Sequence, residues 1–169
     1  RMSGVATVTH NLVKLIEGTN AKLLDTRKTT PGLRTFEKYA VTIGGGVNHR
    51  MGLYDMVMLK DNHINAAGGI SQAIASVLKT KGADIKIEVE VESLDQLREA
   101  LAYQVDQIML DNMSVEMMRE AVQISRTVSN SVKIEASGNM RLERINEVAS
   151  TGVDYISVGA LTHSVPALD

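Results

Sequence analysis

Short runs of β-type residues recur along this chain with helix-length stretches between them, and that alternation leaves few folds open. The runs fall at residues 21–26, 56–60, 85–91, 107–111, 132–137 and 155–159. Helical spacing of apolar residues marks 33–42, 71–80, 94–103, 115–127 and 142–150 between them. Before the first run, Val5, Val8, Leu12 and Leu15 or Ile16 repeat at helical intervals up to Gly18, which suits the residue just past a helix end, so residues 3–17 read as a leading helix. Strand and helix in strict alternation imply parallel strands joined by right-handed crossovers. Six such strands either close most of a barrel or form an open doubly wound sheet.

Sorting the strand residues by alternate faces narrows this further. One phase is apolar throughout: Val57 and Leu59; Ile87, Val89 and Val91; Ile108 and Leu110; Ile134 and Ala136; Ile156 and Val158. These positions are expected to pack beneath the helices. The opposite phase holds Lys60, Glu88, Glu90, Glu92, Gln107, Asp111, Lys133, Glu135, Ser137, Tyr155, Ser157 and Gly159. An ordinary parallel strand is apolar on both faces. Unpaired charges inside a barrel cost several kcal/mol each, so this polar phase must pair with itself or line a wet pocket. Glu88 is expected to pair with Lys133 or Lys86. Lys60, Glu90, Asp111, Ser137 and Gly159 fall toward the strand C-termini, where barrel enzymes keep their active sites.

Composition excludes several classes of function. The chain has 169 residues, 44% of them hydrophobic, and a net charge of -2, which gives no reason to expect nucleic acid or an anionic membrane as partner. With no Trp and one Phe it lacks stacking platforms for bases, and with no Cys it has neither disulfides nor thiolate chemistry. No apolar run approaches the roughly 20 residues of a membrane span and no leader opens the chain, so a cytoplasmic location is the expectation. The start at Arg1-Met2-Ser3-Gly4 and the stop at Ala167-Leu168-Asp169 read as those of a fragment.

Between Asp25 and Ile64 three clusters stand out: Asp25-Thr26-Arg27-Lys28-Thr29-Thr30-Pro31-Gly32-Leu33-Arg34, then Gly44-Gly45-Gly46-Val47-Asn48-His49-Arg50-Met51-Gly52, then Met58-Leu59-Lys60-Asp61-Asn62-His63-Ile64. They bring Arg27, Lys28, His49, Arg50 and Lys60 to turn-rich ends of elements, a pattern suited to a multiply anionic small molecule. Ser137-Gly138-Asn139 and Val158-Gly159-Ala160 follow the last two strands, where backbone N–H groups commonly hold phosphate. Asp61, Asn62 and His63 are expected to fix the loop after Lys60. His10 has no assigned role, and the nine Met residues read as core filling.

In their order and spacing the three clusters resemble quinolinate phosphoribosyltransferase, the carboxylating nicotinate-nucleotide pyrophosphorylase family of NAD biosynthesis. Glu135-Ala136-Ser137-Gly138 and Val158-Gly159-Ala160-Leu161-Thr162-His163-Ser164 are similar to that family's phosphate loops. The resemblance implies an α/β fold, an incomplete TIM-like barrel of about six parallel strands. Residues 19–169 would be the barrel domain, cut short at its C-terminus, and residues 1–18 would join it to a separate N-terminal domain. It implies that Arg27, Arg50 and Lys60 take quinolinate, with Thr26 beside them and His49 either a direct ligand or the group that orients Arg50. Lys28, Glu90 and Asp111 would serve phosphoribosyl pyrophosphate, with Mg2+ held mainly through the pyrophosphate and indirectly by Glu90 and Asp111. Ser137, Gly138, Asn139, Val158, Gly159, Ala160 and His163 would hold phosphate. Lys60, Glu90 and Asp111 would be the catalytic groups. The partners implied are the two substrates and a second copy of the protein in a homodimer or larger assembly. A related barrel protein associated with molybdenum transport, or a non-catalytic anion-binding fragment, are the alternatives. With its N-terminal domain missing, the helix bearing Val5, Val8 and Leu12 is expected to leave an apolar side exposed.

Overall fold

The computed structural model describes residues 1–81 and 85–165. Ala167, Leu168 and Asp169, read above as the end of a truncated domain, lie outside the described residues. The chain opens with α1 (Met2–Leu15), followed by β1 (Lys22–Leu24), α2 (Arg34–Ile43), β2 (Val57–Leu59), α3 (Asp61–Ala67) and α4 (Ile70–Lys81). Next come β3 (Ile87–Val91), α5 (Leu94–Leu101), β4 (Gln107–Asp111), α6 (Val115–Val128), β5 (Lys133–Ser137), α7 (Leu142–Ala149), β6 (Tyr155–Ser157) and α8 (Ala160–His163). The six strands form one sheet in the order β1-β6-β5-β4-β3-β2, with every pair parallel. β1 and β2 are its two edges, so the barrel is open between them.

The apolar phase packs as the alternation requires. Val89, Val91, Ile108, Leu110, Ile134, Ala136 and Ile156 are fully buried beneath the helices, and burying each branched side chain contributes about 1.5–3 kcal/mol. Ser93 and Ser114 start α5 and α6 by accepting the N–H groups of Gln96 and Met117, which satisfies donors that a helix end leaves without partners.

Three expectations change. α3 stands where the sequence predicts a loop, because Asp61–Ala67 buries only Ile64 and so shows no apolar stripe. Of the three residues placed there, His63 does fix the turn, since its Nδ1 accepts the Lys60 N–H at 3.1 Å. α1 hides its apolar side within this chain: Val5 and Leu12 are buried and the helix packs on α2, α7, α8 and β1. Glycine at 44 makes the α1–α2 approach possible, for a Cβ there would stand 2.5 Å from the Ala6 carbonyl oxygen. Finally, Glu88 pairs with neither Lys133 nor Lys86. Lys133, level with Glu88 but two strands away on β5, reaches Asp154 at 3.3 Å instead, while Glu88 turns into the barrel toward His49.

The free side of β1 shapes the site. Val47 bridges Leu24, its N–H donating to the Leu23 carbonyl at 2.8 Å and its carbonyl accepting the Asp25 N–H at 3.2 Å. This lays the segment with Asn48, His49 and Arg50 along the barrel mouth.

Candidate active site

The C-terminal ends of the strands surround a cavity of about 750 Å³. Thr26, Arg27 and Lys28 enter it from the loop after β1, His49 and Arg50 from the segment before β2, and Lys60 from the end of β2. Glu90 and Asp111 come from β3 and β4, Ser137, Gly138 and Asn139 from the end of β5, and Gly159, Ala160 and His163 from the end of β6 and α8. Residues far apart in sequence therefore converge as the clusters required. Val158 does not join them. Its side chain belongs to the buried apolar phase and its N–H is spent on the Leu24 carbonyl at 3.0 Å, so it has nothing to offer a phosphate.

On one side of the cavity are two guanidinium groups that have no carboxylate within ion-pair distance among the described residues, those of Arg27 and Arg50. Arg50 donates to the Met56 carbonyl at 2.8 Å, and burial together with the Arg27 charge lowers its pKa. Arg27 keeps a buried Nε without a hydrogen-bond partner. A buried, unpaired donor is costly unless a ligand completes it. On the other side, Lys60 Nζ stands 2.5 Å from Glu90 Oε2, so the two are paired to each other across the division drawn between the two substrates.

Beneath the arginines the polar phase closes on itself. His49 Nδ1 accepts the Arg50 N–H at 2.7 Å, while its Nε2 lies 3.1 Å from Glu88 Oε2 and 3.4 Å from Glu135 Oε2. A ring nitrogen that accepts carries no proton, so the proton sits on Nε2 and faces the carboxylates. Burial alone would pull the imidazole pKa down, and the Glu135 and Glu88 carboxylates beside Nε2 outweigh it and push it up. Gln107 donates to Glu88 and Glu135, and Ser157 donates to Glu135. Burial, with the neighbouring Glu88 charge, raises the Glu135 pKa to about 7. His49 thus holds the Arg50 backbone N–H while its ring lines the cavity.

The end of the cavity at Gly138 and Gly159 is equally specific. A Cβ at Gly159 would stand 3.1 Å from His163 Nε2 and 3.6 Å from Lys28 Cδ, so the side chains of Lys28 and His163 close over that glycine. Thr162 Oγ1 donates to the Lys28 carbonyl at 2.6 Å and ties the two loops together. Gly138 has φ +86° and Asn139 φ +46°, a pair of left-handed residues that turns the chain after β5.

Sequence reasoning missed Met58, Met109, Asn112, Met140, Arg141 and Ser157, all of which line the cavity. Met58 and Met109 were legible, since each lies two residues before a chosen one, Lys60 and Asp111, and so shares its face. They add apolar lining to the cavity.

The family described as quinolinate phosphoribosyl transferase, C-terminal domain, matches residues 5–169. The chain is 50% identical over 169 residues to the probable nicotinate-nucleotide pyrophosphorylase (carboxylating) of Bacillus subtilis, covering 100% of this chain and 57% of that protein. It is 49% identical over 168 residues to the nicotinate-nucleotide pyrophosphorylase (carboxylating) of Mycobacterium leprae, covering 99% and 59%. The solved nicotinate-nucleotide pyrophosphorylase of Francisella tularensis superposes with a TM-score of 0.93 at 50% identity, over 99% of this chain and 59% of that one. The chain spans a little over half the length of these relatives. With family, sequence and barrel in agreement, the chain belongs to the quinolinate phosphoribosyltransferase C-terminal domain family.

Proposed function

We propose that this chain forms the site at which phosphoribosyl pyrophosphate and quinolinate react to give nicotinate mononucleotide, pyrophosphate and CO2 in NAD biosynthesis. The observation that carries the reading is the pair Arg27 and Arg50, unpaired with any carboxylate among the described residues and facing Glu90 and Asp111 across one cavity. Forked guanidinium groups suit the two adjacent carboxylates of quinolinate. Lys28, His163 and the glycines at 138 and 159 suit phosphate at the opposite end.

The ring nitrogen forms a bond to ribose C1 as the C1–O bond to pyrophosphate breaks, and that electron pair leaves with pyrophosphate. The carboxylate next to the nitrogen then departs as CO2, its bonding pair passes into the positively charged ring, and one proton is taken up at that carbon. Arg27 and Arg50 hold the ring so that nitrogen meets C1, while Glu90 and Asp111 place negative charge near the developing oxocarbenium centre. Lys60, now held by Glu90, is free to turn to the second quinolinate carboxylate when that ligand arrives. The oxygen donors of Glu90 and Asp111 suit Mg2+, which when bound neutralises pyrophosphate charge. The same reading includes a cytoplasmic homodimer or larger assembly, with residues 1–18 leading from a further domain that accounts for the extra length of the relatives.

The test is a product assay on the full-length protein, with Arg27→Ala and Arg50→Ala beside it. Nicotinate mononucleotide and CO2 should appear in equal amounts and fall sharply in both variants. Phosphate and phosphoribosyl pyrophosphate binding without any product would overturn the reading.

A further inference from the structure

Asp111 ends β4, and the residue after it is held in an unusual way. Asn112 has φ +53°, in the left-handed region, and its carboxamide is engaged at both ends. Nδ2 donates to Asp111 Oδ2 at 2.7 Å, and Oδ1 accepts from Asn139 Nδ2 at 3.1 Å. The orientation follows from chemistry: an ionised carboxylate only accepts, so the amide must turn its nitrogen to Asp111 and leave its oxygen for Asn139. The Asn112 N–H donates to the Ser137 carbonyl at 3.1 Å. Gly138 packs directly against this arrangement. A Cβ at that position would strike the Asn112 carboxamide and stand 2.8 Å from its backbone nitrogen.

We infer that Asn112 is a positioning residue, one that acts on phosphoribosyl pyrophosphate through Asp111 and fixes the β4 end to the phosphate loop 137–139. By occupying Asp111 Oδ2 it leaves the other carboxylate oxygen as the one presented to the ligand. By tying down Asn139 and abutting Gly138 it sets the distance between that oxygen and the loop expected to hold the 5′-phosphate. Carboxylate and phosphate loop then grip one ligand at a fixed separation. This rests on the role proposed above for Asp111.

Asn112 is exposed, and Asn112→Gly keeps the left-handed backbone while removing the carboxamide. The experiment is a double-mutant cycle on the full-length protein, with Asn112→Gly, Asp111→Ala and the pair. Calorimetry would follow phosphoribosyl pyrophosphate with magnesium, and quinolinate separately. Asn112→Gly should weaken phosphoribosyl pyrophosphate about 5- to 20-fold, the low end of what one charge-assisted hydrogen bond contributes because it acts through Asp111, and leave quinolinate within about 2-fold. In the Asp111→Ala background the same substitution should change binding by less than about 2-fold. Equal losses in both backgrounds, or a loss under about 2-fold in the wild type, would overturn the inference. If the wild type forms product while Asn112→Gly binds normally, the inference fails and the function stands; if Asp111→Ala itself binds normally, the assigned role of Asp111 fails first.

Discussion

Lys38 and Asp25 form an ion pair from which water is excluded, with both side chains fully buried. Lys38 comes from α2 and Asp25 from the end of β1, so the bond staples a helix to the barrel mouth. Asp25 also accepts the His49 N–H at 2.9 Å. Burial raises the Asp25 pKa, and Lys38 and His49 oppose that rise. The pair thus supports the loop that carries Arg50, although neither member lines the cavity.

Removing one partner should cost more than removing both charges. Lys38→Met leaves a buried carboxylate unpaired and should destabilise the protein by about 3–5 kcal/mol. Asp25→Asn added to it keeps an acceptor for the His49 N–H and should recover at least half of that loss. Urea denaturation of the two variants beside wild type checks this, and an additive double variant would mean that the pair is not coupled.

The strand phases were legible because a period of two survives whatever the partners are, and Ile87, Val89, Ile108 and Ile156 all went where it sent them. The cationic clusters were legible through their spacing. The partner of Glu88 was not, because His49 reaches it from a loop 39 positions away in sequence, and a phase analysis of strands contains no loops. α3 was hidden for a similar reason. A helix that buries one residue has no periodicity to read.

Arg50 and Lys60 differ in what they release when a ligand binds. Arg50 is already fixed by the Met56 carbonyl and by His49, whereas Lys60 must leave Glu90. In the full-length protein, Arg50→Ala should weaken quinolinate by about 1.5–3 kcal/mol, one charge-assisted bond, and phosphoribosyl pyrophosphate far less. Lys60→Ala should weaken quinolinate and also free Glu90. Separate titrations with each substrate decide the matter, and equal losses for both substrates in Arg50→Ala would refute the assignment of that residue.

Asp154 should make stability fall in acid. Burial tends to raise its pKa, but the Ile134 N–H at 2.8 Å, Arg126 at 2.6 Å and Lys133 at 3.3 Å outweigh it and lower the pKa below the ordinary carboxylate value. A folded-state pKa below the unfolded one means stability that is complete above about pH 3.9 and lost as pH falls through the folded pKa. Asp154→Asn should lose about 1–2 kcal/mol near neutral pH. The gap to wild type should stay constant down to about pH 5 and close in stronger acid. A gap that did not change with pH would point to shape rather than charge.

The last prediction separates two reasons for a glycine. Gly44 has an ordinary right-handed backbone with φ −75°, yet a Cβ there would lie 2.5 Å from the Ala6 carbonyl oxygen and 2.6 Å from Thr9 Cβ. Gly32 is the reverse, with φ +77° and nothing within 4 Å. Because the Ala6 contact is with backbone, no rotamer change relieves it. Gly44→Ala must push α1 away from α2 and should cost about 2–3 kcal/mol as overpacking does. Gly32→Ala meets only the left-handed backbone penalty of about 1–2 kcal/mol. Denaturant midpoints of the two variants, with amide exchange in α1 as the local readout, give the comparison. Loosened exchange in α1 belongs to Gly44→Ala alone, and equal exchange in both variants would show that α1 does not depend on that close approach.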